Sequence, residues 1–487
     1  MRPARLCVAV AAAVVAIAVA EPASRVPAAG STALTEPAAA RRQLDLEAME
    51  SFRPAYRFWQ HVFTLPDGAI AFGSAVDGRL LASFGVGTDW TRHPVWQIGP
   101  LAGRPSGPPM PANLARRREE MASRFEPVVG PVVHNPTRGG FVAPNARLYG
   151  AFVDEWGAIY ERFGVPAEIG LGQAIVESGL NGKIRSEARA VGFCQWLSGN
   201  WNRLKRLSPH VIEGHNQTTQ APFCAAYLTI LATKYGSFIP ALSEHHSGGT
   251  NVARTLINGE RLGAADIRDR YFLGGEFARD LRKLSPGTFK DVYGTYGPRS
   301  FLYAEMVFGN AATVAEIASR HPQASIFAMR AKTALSLAEI TRRTGLSADD
   351  VRRFNPALVS RVPAGGTLYL PKHVPAFGAD VAFWRRPAAP AFTAVLLEFL
   401  QLGAPLEEWD RPAFDAVLTG FRRRFHATAT EEGTVMGTML AYVLEEGRTS
   451  RQAAIIAEYR ASDRVRQLFE RARTEREAAR LRAQTSE

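Results

Sequence analysis

The sequence predicts a mainly helical protein, with one small βααβ unit in its C-terminal half and a further helical region at the end. Three observations carry this. Apolar residues recur at three- and four-residue spacing through the middle of the chain, Gly, Pro and Asn punctuate those runs into short helices, and no long alternating stretch supports a large sheet. The chain has 487 residues, 46% hydrophobic and 21% charged, an ordinary globular balance. That length allows roughly two to four domains.

At the N-terminus, Arg2 and Arg5 precede an apolar run from Val8 to Ala20 that closes on Ala18-Val19-Ala20. A basic start, a short apolar run and a small-x-small end describe a secretory signal over residues 1–20. The run is shorter than the ~20 residues that span a bilayer, so cleavage is expected. Membrane association follows only if the segment is retained. Cys7 lies inside the apolar run, too early for lipid attachment at a cleavage site. The expected location is therefore the periplasm or the outside of the cell. The formal charge is +12, which suits a polyanionic partner; export argues against nucleic acid and leaves anionic lipid or a carboxylate-bearing cell wall.

Residues 21–40 are rich in Ala, Pro and Ser and read as a flexible tether. Residues 41–145 carry mixed signals. Ala71–Val76 and Leu80–Phe84 flank Asp77-Gly78, a hairpin cue, and the Pro/Gly stretch from Gly99 to Pro111 reads as loop. No chemistry is recognisable in this region.

Residues 146–312 form an α-rich domain. Phe152, Trp156, Ile159, Tyr160 and Phe163 mark one helix face, which Gly164 ends. Pro166 opens a second helix through Ile169, Gln173, Ala174 and Val176 to Glu177, where Gly179 and Asn181 stop it. Further helices fit Pro222–Tyr235, Ser237–His245 and Thr250–Leu256. A Glu at the end of an otherwise apolar helix is unusual. Burial and the negative end of the helix dipole both disfavour its charged form, so its pKa is expected to rise. A move from ~4.3 to ~6.5 corresponds to about 3 kcal/mol in favour of the neutral acid, the form that protonates a glycosidic oxygen. The plain alternative is a surface Glu at a frayed helix end.

Residues 325–373 read as strand, helix, helix, strand: Ile326–Met329, Ser336–Thr344, Ser347–Asn355 and Thr367–Leu370. Residues 380–487 are helical again, and Arg464–Arg482 is a charged amphipathic stretch that reads as a solvated face, with a protein partner as the sharper alternative. After removal of the signal, Cys194 and Cys224 remain. They are a candidate disulfide in an oxidising compartment, or two buried thiols, and the sequence leaves both readings open.

The spacing around Glu177 resembles the transglycosylase domain shared by soluble and membrane-bound lytic transglycosylases and, distantly, by goose-type lysozymes. That family carries Glu-Ser at a helix end, a Ser nine residues after the Glu, and Ala-x-Gly-Leu-Met-Gln ending eighteen residues after it. Here Glu177-Ser178, Ser186, Ala190-Val191-Gly192-Phe193-Cys194 and Gln195 occupy those positions without a gap. Ala225-Ala226-Tyr227-Leu228 and Ala241-Leu242 look like its next helices, and Tyr296-Gly297-Pro298 like its closing segment.

The resemblance implies a lysozyme-like fold and cleavage of the β-1,4 bond between N-acetylmuramic acid and N-acetylglucosamine in peptidoglycan, with no cofactor. Glu177 would protonate the bridging oxygen, then take the proton of the muramic C6 hydroxyl as a 1,6-anhydro ring closes. The substrate's own N-acetyl group replaces a second carboxylate. Ser178, Ser186 and Gln195 would hydrogen-bond the Glu or the sugar, Phe193 would wall the cleft, and Tyr296 would sit near Glu177.

One segment departs from the family. Where it reads Ala-Ala-Tyr-Asn-x-Gly, this chain has Ser243-Glu244-His245-His246-Ser247-Gly248, placing His245 at the Tyr and His246 at the sugar-contacting Asn. His246 can donate a hydrogen bond as Asn does, and it can also titrate. Adjacent histidines rarely reach one metal ion together, and no third ligand is evident. Glu244 could supply a second carboxylate, which would favour water as nucleophile and a lysozyme-like hydrolase.

The 325–373 unit resembles a LysM module, which binds N-acetylglucosamine-containing glycans, through Thr344-Gly345-Leu346-Ser347, Arg353-Phe354-Asn355-Pro356 and Pro363–Leu368. Lys332-Thr333-Ala334-Leu335 replaces the usual Gly-Asp-Thr-Leu opening, which puts its glycan affinity in question. A catalytically silent wall-binding scaffold with the same fold is the alternative to an enzyme.

Overall fold

The structure is a computed structural model that describes residues 34–103, 109–208, 213–293, 300–403, 411–445 and 448–484. The expected signal segment with Cys7, residues 21–33 of the expected tether, and Tyr296 lie outside the described residues. Among those described, no helix is long and apolar enough to cross a membrane.

Helix α1 (Glu36–Phe52) starts inside the segment expected to be a tether. Pro37 suits a first helical turn and Ala38–Ala40 are strong helix formers, so the same Ala/Pro composition serves a helix start. Ala38, Arg41, Asp45 and Met49 are buried along one side of α1. The Asp45 carboxylate accepts from Ser237 Oγ (2.6 Å), the Phe238 N–H (2.6 Å) and Arg268 Nε (2.7 Å).

Helix α2 (Phe58–Thr64) leads into the expected hairpin, β1 (Ala69–Ser74) and β2 (Leu80–Gly85). Gly78 turns it at φ +73°, and a Cβ there would meet the Phe58 backbone nitrogen at 2.6 Å. Helix α3 (Leu114–Val129) then delivers β3 (Val132–Pro136), a strand not anticipated from the sequence, to the other side of β1. The resulting antiparallel order β2-β1-β3 packs its own core of Ile70, Phe72, Phe84, Trp90 and Phe125.

After α4 (Gly139–Tyr149), the helical domain follows its expected punctuation: α5 (Val153–Arg162), then α6 (Ala167–Ser178). A short antiparallel pair, β4 (Ala190–Val191) and β5 (Trp196–Leu197), precedes α7 (Ser198–Leu207). Next come α8 (Gln217–Tyr235), α9 (Phe238–Ser247), α10 (Gly249–Arg261), α11 (Ile267–Leu284) and α12 (Pro286–Tyr293). Helices α13 (Tyr303–Gly309) and α14 (Ala311–Arg320) complete the domain and pack on α6. Almost every residue of α8 is buried, which makes it the central helix around which the others assemble.

The βααβ order appears as expected, with β6 (Phe327–Ala331), α15 (Leu337–Thr344), α16 (Ala348–Phe354) and β9 (Thr367–Leu370). Two further pieces were not legible: the short pair β7 (Leu335–Ser336) with β8 (Arg361–Val362), and β10 (Gly378–Asp380), which makes the sheet order β10-β6-β9. The unit is bolted to α8. Tyr369 Oη and Thr219 Oγ1 are 2.6 Å apart, Asn216 Nδ2 donates to the Phe354 carbonyl (3.3 Å), and the Phe354 ring lies 4.7 Å from that of Phe152.

Five helices close the chain: α17 (Pro390–Gln401), α18 (Arg411–Ala427), α19 (Glu431–Glu445), α20 (Arg448–Ala461) and α21 (Asp463–Gln484). Phe163 of the helical domain shares one apolar core with Phe392, Phe425 and Met439 of this region. The charged α21 is more than a solvated face. It buries Phe469 and Ala472 against α11, where Arg476 Nε meets Asp280 at 2.6 Å.

Candidate active site

Glu177 sits at the last turn of α6 because Gly179 ends the helix in the left-handed region (φ +57°), its N–H bonded to the Ile175 carbonyl (3.0 Å). Its side chain is 14% exposed and lines a cleft of about 920 Å³. Ser186, Gln195, His245 and His246 line the same cleft, so the structure brings together most of the residues singled out by spacing.

The groups that touch Glu177 come from two other helices. Tyr303 Oη, at the start of α13, donates to Glu177 Oε1 at 2.5 Å and accepts from Gln173 Nε2 at 3.4 Å. The His246 ring stacks on Tyr303 (centroids 4.4 Å apart, planes 10° off parallel) with Nδ1 3.9 Å from Glu177 Oε1. His245 Nε2 also lies 3.9 Å from that oxygen. Its two nitrogens are otherwise engaged: Nε2 is 2.8 Å from the Cys194 carbonyl, and Nδ1 accepts from Trp196 Nε1 at 3.4 Å. Those partners select the neutral ring with its proton on Nε2, and burial pushes the His245 imidazole below its ordinary value.

The expected upward shift of Glu177 is corrected by these neighbours. Burial is the largest single influence and does push the carboxyl up. The imidazoles of His246 and His245 and the hydrogen bond from the Tyr303 hydroxyl together outweigh it and hold the carboxyl below its ordinary value. The helix-end argument saw burial and the dipole but not side chains arriving from α9 and α13.

The loop from Leu180 to Gln195 is held under backbone strain. Leu180, Arg189 and Gln195 have positive φ (68°, 61° and 48°), and they are the only non-glycine residues with positive φ among those described. Gly192 is also left-handed, and a Cβ there would meet the Gln220 amide at 2.3 Å. Gln195 Nε2 donates to the Gly192 carbonyl (3.0 Å), and Ser186 Oγ accepts the Ala190 N–H (3.0 Å).

Two expected contacts are corrected. Ser178 is fully buried and donates to the Ala174 carbonyl (2.8 Å) and the Phe193 carbonyl (3.2 Å), so it pins the loop to α6 and does not face sugar. Phe193 is also fully buried, edge-on to Trp156 (5.1 Å), and is core, not cleft wall. Glu244 is engaged elsewhere: its Oε2 accepts from Lys234 Nζ (2.6 Å) and from the Tyr235 hydroxyl.

Cys194 and Cys224 form a disulfide that ties the strained loop to α8 across 30 residues of sequence. Replacing Cys224 by Ala is expected to lower stability by about 3 kcal/mol, read as a lower Tm under non-reducing conditions. Since the Cys194 carbonyl holds His245, the pH profile of any activity should shift as well. An unchanged Tm would show that the bond constrains nothing.

Sequence reasoning missed Tyr303, the closest partner of Glu177. The one available signal was Gln173, a helical turn before Glu177 and on the same face. It also missed Arg254 of α10 and the residues that the C-terminal helices add to the cleft: Phe414, Tyr442, Val443, Gln452 and Ile455. Among the described residues, no group of three or more His, Cys, Asp or Glu is placed to hold a metal ion.

Fold and site thus define a mainly helical protein with a carboxylate–imidazole–phenol cluster on the wall of a large cleft. The chain matches no protein-family model and no curated protein.

Proposed function

We propose that this protein is a peptidoglycan lytic transglycosylase with Glu177 as its single acid and base. The observation that carries the reading is a helix-end carboxylate, hydrogen-bonded by Tyr303, on the wall of a cleft of about 920 Å³. Its nearest acidic neighbour along the cleft, Glu244, is neutralised by Lys234. A one-carboxylate site suits chemistry in which the substrate's N-acetyl oxygen stabilises the cation and the C6 hydroxyl is the nucleophile.

Substrate binding supplies the proton-donating state. A sugar seated against Glu177 removes the remaining water and strengthens burial, which is already the largest influence on the carboxyl. Glu177 then protonates the bridging oxygen, and its carboxylate takes the C6 hydroxyl proton as the anhydro ring closes. Tyr303 holds the carboxylate in place through both steps. The LysM-like unit contributes glycan affinity, and the expected setting is the cell envelope.

Mass spectrometry of fragments released from purified sacculi tests this. Muropeptides carrying the mass of a 1,6-anhydro ring are expected. Products with one additional water would instead support a hydrolase, the reading that the His246 imidazole favours, since a ring nitrogen 3.9 Å from Glu177 is placed to position water. Equal, negligible release by wild type and Glu177→Gln would leave only a wall-binding scaffold.

His246→Asn restores the family's residue and has a signed outcome. It removes an imidazole that helps hold the Glu177 carboxyl down, so the carboxyl rises. The pH at which kcat/KM falls on the alkaline side is expected to move upward. A shift downward, or none, would remove His246 from the proton chemistry.

A further inference from the structure

We infer that the C-terminal helices make this a strand-end enzyme: α19 and α20 bridge the two walls of the cleft, so that the end of a glycan strand, and not its interior, reaches Glu177. The inference rests on the peptidoglycan reading above.

One wall is built from β5 and α7 (Trp196, Leu197, Asn200) and the other from α10 (Asn251, Arg254). Helix α19 is fastened to the first. Its Tyr442 ring stacks on Trp196 (5.7 Å, 18°) and lies under the Arg203 guanidinium (5.6 Å). Helix α20 is fastened to the second. Asn258 Nδ2 donates to Tyr459 Oη (2.9 Å), Arg254 and Arg261 lie over the same ring (5.5 and 5.6 Å), and Arg460 pairs with Glu260. Ile456 packs into a small core with Ala253 and Ile257.

Between these anchors, Val443, Gln452 and Ile455 line the same cavity as Glu177, and Gln452 lies so close to Gly249 that a Cβ there would meet its amide at 2.0 Å. A polymer threaded through the cleft would have to leave past this bridge. Lifting it would expose Tyr442, Tyr459 and Ile456, all now buried. The closed side is also marked chemically. Among the described residues Arg254 is the one Arg or Lys lining the cavity, and a guanidinium there suits the carboxylates of a peptidoglycan stem peptide.

The test is product length at low conversion. The full-length oxidised protein is incubated with sacculi, soluble products are separated by size, and the mean chain length of the remaining insoluble glycan is measured. Single disaccharide-peptide units are expected from the earliest time points, with the insoluble chains barely shortened. In a Tyr442→Ala/Tyr459→Ala variant, the share of longer soluble fragments should rise severalfold. Long soluble strands from the wild type would overturn the strand-end inference while leaving the peptidoglycan reading intact. Unchanged products from a folded double variant would overturn the assignment to α19 and α20. No product of any length from the wild type would remove both readings. If the double variant does not fold, the wild-type distribution decides alone.

Discussion

Glu177→Gln is expected to lower fragment release from sacculi by about 10³-fold, within the range that a positioned acid/base contributes. The amide keeps the shape of the carboxyl and can still accept from Tyr303 Oη, so the variant should fold and its Tm should stay close to wild type. What it loses is the proton to give and the charge to take one back. Comparison with Tyr303→Phe separates positioning from proton transfer. That variant keeps the stacked ring beside His246 and removes the only hydroxyl bonded to Glu177 among the described residues, so it should cost activity while leaving some. A Glu177→Gln protein that still releases fragments at near wild-type rate would end the single-carboxylate mechanism.

The second large effect concerns folding. Arg268→Leu is expected to destabilise the protein by about 3–5 kcal/mol, the cost of leaving a buried charge without its partner. Asp45 is fully buried, and burial pushes its carboxyl up to about 6 even with the Arg268 guanidinium beside it. Without Arg268, burial is opposed by the Ser237 hydroxyl, the Phe238 N–H and the more distant charge of Arg41, and the folded-state pKa climbs further. A carboxyl whose folded pKa lies above its unfolded value favours folding when protonated and loses that contribution as pH rises. Below pH 6 the group is protonated in both proteins, so the variant's deficit should shrink as pH falls through that value. Urea titrations at pH 7 and pH 5 measure this; equal deficits at both would show that Asp45 is not the source.

Much of the fold was legible because its helices are short and sharply ended. Gly164, Pro166 and Gly179 bracket α5 and α6 in the sequence as they do in space, and the Asp77-Gly78 hairpin and the βααβ order follow from equally local signals. Strands of two or three residues such as β7, β8 and β10 have no periodicity to read, and β3 is defined only by its pairing with β1. At the candidate site, motif spacing located Glu177, Ser186, Gln195 and the histidine pair. It could not tell which way side chains point on a loop with left-handed residues, so Ser178 and Phe193 were assigned to the cleft when both turn inward. Tyr303 lies 126 residues after Glu177, and Tyr442 comes from a region without a motif. Their meeting at one cleft depends on tertiary packing around α8, and so did the direction of the Glu177 shift.

The attachment of the βααβ unit to α8 has a consequence for reach. A glycan-binding module on a slack linker acts like a grapnel: it samples many distances and raises the local concentration of enzyme over a wide patch of wall. Here Tyr369 and Phe354 are seated on the helix that carries Cys224, leaving no slack between module and cleft. Any glycan the module holds is presented at one fixed distance and angle from Glu177. On the proposed function the pair would work as a ruler, with the module gripping the wall at a set distance from the strand end that reaches Glu177.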